Sequence, residues 1–158
     1  QLFRHLVFVG VPEKNQHYWK SKYPATEATW ITHVTDMELL PILRNSFCLA
    51  QPSTAEGYGY PPLEAMACGV PVITSNCSSL PETVGNAAIQ IDPNNPKALA
   101  YEMQRVLSDK KLQTDLVHMG LDHVSSHTWE NASKKLIEVF ADVQARGPWE
   151  GKDSEGCH

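Results

Sequence analysis

Apolar residues along this chain come in short continuous runs, separated by stretches where they recur every three or four positions. The run "LVFVG" (6–10) stops at a glycine and predicts a buried strand before a turn. "TWITHV" (29–34), "FCLAQPS" (47–53), "PVITS" (71–75) and "AAIQI" (87–91) predict four more strands. Over 35–46 the pattern turns helical: Thr35 and Glu38 are spaced as a capping box, and Leu39, Ile42 and Leu43 share a face. Pro41 falls within the first turns of that helix and need not break it. In "SSLPETVG" (78–85), Ser79 and Glu82 have capping-box spacing and Gly85 is placed for a left-handed stop.

After Asp92 only helical periodicity remains. Asn95 and Pro96 read as N-cap and first helical residue, opening a helix with the stripe Leu99, Met103, Val106 and Leu107. Leu112, Leu116 and Met119 mark a second helix, closed by Gly120. Thr128 caps a third, with Trp129, Ala132, Leu136, Val139, Phe140 and Val143 as its apolar positions. Alternating strands and helices with nearly continuous apolar strands predict one α/β domain over 1–146, a Rossmann-like parallel sheet with helices on both faces followed by C-terminal helices. Residues 147–158 lose all periodicity and are expected to be a mobile tail.

The chain has 158 residues, enough for one well-buried core, and 42% of them are hydrophobic. A formal charge of −5 with no basic cluster argues against a nucleic-acid footprint. Cys48, Cys68, Cys77 and Cys157 have no metal-ligand spacing and read as reduced thiols, most of them buried, in a cytoplasmic protein. Neither a cationic-plus-apolar leader nor an apolar run of membrane-spanning length is present, so neither export nor membrane insertion is expected.

The stretch "AEGYGYPPLEAMACGVPV" (55–72) carries the candidate chemistry. It follows a predicted strand, the place where open parallel sheets bind ligands. Gly57 and Gly59 let backbone amides approach a ligand, and Pro61-Pro62 predicts a helix start, with the helix running to Cys68 and Gly69 as its stop. A helix N-terminus attracts anions such as phosphate. Glu64 is then expected in the first turn and Glu56 on the preceding loop, both facing one crevice as acceptors for sugar hydroxyls. The same residues also fit a plainer reading: Glu64 as a helix-capping charge, Glu56 as a solvated side chain, and glycines that only make the turn.

The segment "PSTAEGYGYPPLEAMACGVPVITSNCSSLPETVGNAAIQIDP" (52–93) closely resembles the C-terminal half of family 4 (group 1) glycosyltransferases of the GT-B fold. The resemblance extends from about Leu6 to Val143, with Glu56 and Glu64 at the spacing of the family's paired glutamates. It implies a retaining enzyme that moves a sugar, typically a hexose, from a nucleotide-diphosphate sugar to a glycan or lipid-linked acceptor, with no metal or other cofactor. It implies Glu56 as the catalytic-centre acid on the donor sugar and Glu64 on the ribose. Gly57, Tyr58, Gly59, Tyr60 and Pro61 would line the sugar and diphosphate, and His33 and Val34 the base. Polysaccharide assembly is the family's usual setting, and full-length members often touch the membrane surface through their other half.

The chain also departs from that pattern. The N-terminal acceptor domain and the first βα unit of the C-terminal domain, whose Arg/Lys pair clamps the diphosphate in that family, are expected to be missing from this sequence. Lys14 in "FVGVPEKN" sits where that clamp could be sought, but "LVFVG" aligns better with the family's second strand. His33 replaces the glycine usual in the base loop. A fragment is therefore expected, inactive alone. The competing expectation is a non-catalytic donor-binding or partner-subunit module. A phosphorylase-like enzyme would need a pyridoxal-binding lysine, for which no motif is present.

Overall fold

The computed structural model describes residues 5–24 and 27–147, which divide after Val124 into two compact units. The first unit contains five parallel strands: β1 (Leu6–Val9), β2 (Ala28–Ile31), β3 (Leu49–Gln51), β4 (Val72–Ser75) and β5 (Ile89–Ile91). Six helices accompany them: α1 (Glu13–Lys22), α2 (Asp36–Arg44), α3 (Tyr60–Ala67), α4 (Leu80–Val84), α5 (Pro96–Ser108) and α6 (Lys110–Ser125), whose last residue lies just past the division. Every expected strand is present, though shortened at one or both ends, because the flanking residues turn into loops. The chain is thus α/β with parallel strands, as the alternation of patterns predicts.

β4 is the centre of the first unit, and all four of its residues are buried. Its side chains alternate between faces, so Val72 enters one core and Ile73 the other. The Val72 core gathers Leu43 from α2, Leu63, Ala65 and Met66 from α3, and Val84 from α4. The Ile73 core gathers Ile91, Val106 and Leu116 from β5, α5 and α6, with Leu99, Met103 and Leu112 packed against it. Each fully buried aliphatic side chain contributes roughly 1.5–3 kcal/mol relative to exposure. Helices therefore cover both faces of the sheet β3-β4-β5, in agreement with the sequence reading.

The strands do not form one sheet. β1 and β2 pair only with each other, and β3, β4 and β5 make a separate three-stranded sheet. Continuous apolar runs specify strands but not which strand fills the next place in a sheet.

α1 was not foreseen in the pattern. Its single buried residue is Gln16, so it has no apolar stripe to read. Its signals are electrostatic: Glu13 in the first turn and Lys20 and Lys22 in the last complement the helix dipole. Gln16 Nε2 donates to the Val11 carbonyl and the Thr32 hydroxyl, both at 2.9 Å, and so ties the loops that follow β1 and β2.

The Thr35–Glu38 capping box and the Asn95 and Thr128 caps form as expected. The Ser79–Glu82 box does not: Ser79 makes no capping bond, and its hydroxyl is used elsewhere. Gly69 has φ +71°, and Gly85 has φ +52° with ψ −131°, a positive-φ stop outside the left-handed helical region. Gly120 does not end its helix. It lies inside α6, where an added Cβ would stand 3.1 Å from Met66 Cγ, so the residue permits α6 to approach α3 closely. Met119 is 42% exposed rather than part of the core face.

Cys48, Cys68 and Cys77 are free thiols and half-buried, and burial pushes the Cys48 thiol up. Cys157 and residues 148–158 of the expected tail lie outside the described residues. The second unit contains α7 (Trp129–Arg146), on which Leu136, Ile137, Val139, Phe140 and Val143 are all exposed. Among the described residues, no helix is long and apolar enough to cross a membrane.

Gly120→Val is expected to lower stability by about 1–3 kcal/mol by overpacking against Met66, measured by urea unfolding with the slope unchanged. The Thr35 amide and hydroxyl hold the Glu38 carboxyl below its ordinary range. A carboxyl depressed in the folded state stabilises above its unfolded pKa and loses that contribution as pH falls through the folded one. The stability gap between wild type and Glu38→Ala should therefore be present at neutral pH and shrink below about pH 4; a gap that stays constant down to pH 2 would exclude the ionised cap.

Candidate functional site

The loop from Pro52 to Gly59 joins β3 to α3 with no regular secondary structure, so its backbone polar groups need partners from elsewhere. They come from the segment that follows β4. Ser75 Oγ and Cys77 Sγ donate to the Ser53 carbonyl, and Cys77 Sγ also reaches the Thr54 carbonyl at 3.6 Å. Ser78 Oγ accepts from the Glu56 amide at 3.1 Å and donates to the Glu56 carbonyl at 3.0 Å. Ser79 Oγ is shared between the carbonyls of Glu56 and Tyr58, each at 3.1 Å, and Thr83 Oγ1 also donates to the Tyr58 carbonyl.

Ser78 has φ +58°, the one positive-φ non-glycine among the described residues. A left-handed serine is disfavoured, and the two bonds to Glu56 offset that cost. The sequence reading missed this brace. Its signal was "SNCSSLPET" (75–83), small hydroxyl and thiol side chains packed immediately after a buried strand.

Two glycines act differently in the loop. Gly57 has open space where a Cβ would stand, whereas Gly59 is buried with φ +99°, and a Cβ there would come within 2.7 Å of Leu80 Cδ2. Gly59 is the N-cap of α3, so the helix starts at Tyr60, one residue earlier than expected. Two consequences follow. Glu64 is not in the first turn but one turn further on, exposed. Pro61 and Pro62 occupy early helical positions and carry no N–H, and the Leu63 amide makes the first intrahelical bond to the Gly59 carbonyl, so Tyr60 is the residue of the first turn with an amide to offer an anion.

Glu56 is half-buried, and Gln51 Nε2 donates to its Oε1 at 2.7 Å, which fixes the carboxylate relative to the end of β3. Gln51, Pro52 and Ser53, together with Pro61 and Glu64, line one end of a cavity of about 1240 Å³ that runs along the whole of β3 and past its amino end to Asn45. The structure thus places Pro61 and Glu64 on the cavity, Glu56 against a residue that lines it, Gly57, Tyr58 and Gly59 on the connecting loop, and Tyr60 at the first position of α3. The Tyr58 and Tyr60 rings are exposed, with centroids 5.0 Å apart. His33 and Val34 lie in the loop between β2 and α2 and are not among the residues lining this cavity.

Comparison with known proteins gives this arrangement a context. Residues 4–121 match the family model described as glycosyl transferases group 1. The chain is 34% identical over 125 residues to an O-antigen chain mannosyltransferase B of Escherichia coli, covering 77% of this chain and 33% of that protein. It is 30% identical over 105 residues to a D-inositol 3-phosphate glycosyltransferase of Corynebacterium urealyticum, covering 65% and 25%. The chain thus spans a third or less of the length of these curated relatives.

Among solved structures, sucrose-phosphate synthase from Thermosynechococcus elongatus superposes with a TM-score of 0.72 at 24% identity, covering 90% of this chain and 39% of that one. The C-terminal domain of a glycosyl transferase group 1 family protein (LpcC) from Francisella tularensis gives 0.64 at 18%, covering 77% and 84%. Those likenesses concern the fold; the family model, matched over most of the chain, concerns descent. The chain belongs to the glycosyl transferases group 1 family.

Proposed function

We propose that this chain is the donor-binding part of a retaining glycosyltransferase that uses a nucleotide-diphosphate sugar. The observation that carries the reading is the convergence at the carboxyl end of β3. Glu64 and Pro61 of α3 open on the cavity there, and Gln51, which lines the same cavity, holds the Glu56 carboxylate.

In this reading Glu64 accepts hydrogen bonds from the ribose hydroxyls, and Glu56 accepts them from the donor sugar near its reacting carbon. The amides of Gly57, Tyr58 and Gly59, with that of Tyr60 at the start of α3, face the diphosphate. His33 and Val34, at the carboxyl end of β2, are assigned to the base. As the bond to phosphate breaks, negative charge grows on the diphosphate, and preoriented amides and a helix N-terminus lower the energy of that charge. No metal is assigned to this task.

Retention proceeds with the acceptor entering on the face the diphosphate leaves, so that a diphosphate oxygen takes the acceptor's proton and Glu56 forms no covalent bond to the sugar. A retaining glycoside hydrolase differs, because there one of two carboxylates about 5 Å apart attacks the sugar. The family membership and the likeness to mannosyltransferases of O-antigen assembly support a glycan or lipid-linked acceptor, held by parts of the protein outside residues 1–158. That extent also favours a second reading, a donor-binding module that acts only with a partner subunit.

Calorimetric titration with UDP-, GDP- and ADP-sugars, with and without EDTA, tests the donor site. One of these donors should bind, and equally well with the chelator. Glu64→Gln should weaken that binding about 10–100-fold, the loss of charge-assisted hydrogen bonds worth roughly 1.5–3 kcal/mol. Glu56→Gln should leave donor affinity within about threefold while depressing sugar transfer by the complete enzyme by about 100-fold or more. No binding of any nucleotide sugar, or equal behaviour of both variants and wild type, would refute the assignment.

Ser78→Ala removes both bonds to Glu56 and should lower transfer more than donor affinity. Ser78→Gly relieves the positive φ but lacks the hydroxyl, so it should recover stability without recovering transfer. Full transfer activity in Ser78→Gly would show that the brace does not position Glu56.

A further inference from the structure

β3, β4 and β5 pair in register, so Gln51, Thr74 and Gln90 lie side by side across the sheet. All three are on the face whose earlier residues, Leu49 and Val72, enter the core shared with α3. The outer two members of this polar row are partnered through nitrogen. Gln51 Nε2 donates to Glu56 Oε1 and Gln90 Nε2 to the Gly85 carbonyl, both at 2.7 Å. Thr74 between them is fully buried and its hydroxyl has no hydrogen-bond partner, the one such buried side-chain atom among the described residues.

A buried hydroxyl left unpaired destabilises a fold, whereas a bonded one contributes modestly to it. Valine has the same shape without that cost, so the Thr74 hydroxyl gives the folded chain nothing in the arrangement described here. Acceptors are close by on either side. Each flanking glutamine uses its nitrogen in the bonds above and keeps its amide oxygen as an acceptor. Neighbouring strands stand ~4.8 Å apart and the terminal torsion of a glutamine has a broad minimum, so a small turn of either side chain brings its oxygen to Thr74.

The two glutamines differ in what they hold. Gln90 ties the carbonyl of the residue that ends α4 and is not among the residues lining the cavity. Gln51 lines the cavity and holds the carboxylate of Glu56. An amide whose oxygen accepts a hydrogen bond becomes a stronger donor at its nitrogen, and a donor to an ionised carboxylate makes one of the stronger bonds in a protein. A bond from Thr74 to Gln51 Oε1 therefore tightens the hold on Glu56 without touching the substrate.

We propose that Thr74 is a positioning residue for Glu56: during sugar transfer its hydroxyl donates to Gln51 Oε1 and completes a relay from the buried sheet, through the Gln51 amide, to the carboxylate. The relay rests on the reading of Glu56 as the acid at the donor sugar. Because the bond is made in that state and not in the arrangement described here, its free energy goes to placing Glu56 rather than to folding.

The test compares Thr74 variants of the complete enzyme. Thr74→Val should lower kcat for sugar transfer about tenfold and leave the donor KM within about twofold. Its urea midpoint should stay at or above that of wild type. Thr74→Ser, which keeps the hydroxyl, should retain at least about half of the wild-type kcat. Adding Thr74→Val to Gln51→Leu should cost no further activity, whereas adding it to Gln90→Leu should cost as much as it does in wild type.

Four results would overturn the proposal. Unchanged kcat in Thr74→Val, beside a large loss in Glu56→Gln, would remove the relay and leave the donor reading standing. A urea midpoint that falls in step with activity would make the hydroxyl a folding contact. A Thr74→Val effect that vanishes in Gln90→Leu and persists in Gln51→Leu would assign the hydroxyl to the other glutamine. Wild-type transfer by Glu56→Gln would remove the donor reading itself, and the relay with it.

Discussion

The structure depends on how the loop from Pro52 to Gly59 satisfies its backbone. It carries Glu56 and leads into the helix that carries Glu64, yet belongs to no helix or strand. A loop of this kind would be mobile if its carbonyls and amides were solvated. Instead the hydroxyls of Ser75, Ser78, Ser79 and Thr83 take them up across a sequence separation of more than twenty residues. That brace in turn needs β4 to be rigid, and β4 is rigid because both its faces are buried in separate cores. Core packing, brace and loop form one chain of cause, with the candidate site at its end.

Much of this was legible in the sequence, for identifiable reasons. Strand and helix periods gave the α/β order, and the Asn95 and Thr128 caps appear where their side chains predicted. Hydrophobic patterning reports burial of side chains, so it could not show α1, whose inward residue is a glutamine bonded to two loops. Capping rules placed Ser79 at the N-cap of α4 but not its hydroxyl, which donates to the distant Glu56 and Tyr58 carbonyls instead of capping the helix. Gly120 has the composition of a helix stop and the function of a packing contact, a difference visible only once Met66 is in place. The paired glutamates were found because their spacing is a signature; the serines that hold one of them form no pattern until the chain is folded.

The two-sheet arrangement changes how the site is understood. Ligand crevices in doubly wound sheets form where strand order reverses, between two halves that diverge. Here one wall of that crevice is built from β3, its loop and α3, while β1 and β2 pair in a separate sheet that lines the same cavity. Glu64 and Pro61 already open on the space. Backbone groups that the local fold of the loop leaves unpaired are answered there by side chains from the end of β4, the residues after it and α4.

The central claim is that the loop amides around Gly57 and the start of α3 face the diphosphate of a nucleotide sugar. Amide hydrogen exchange of the chain, with and without a saturating nucleotide diphosphate, measures this directly. The account predicts protection concentrated at Gly57, Tyr58, Gly59 and Tyr60, with little change in α5. Saturable binding that protects other elements and leaves those four amides exchanging at their free rate would contradict it.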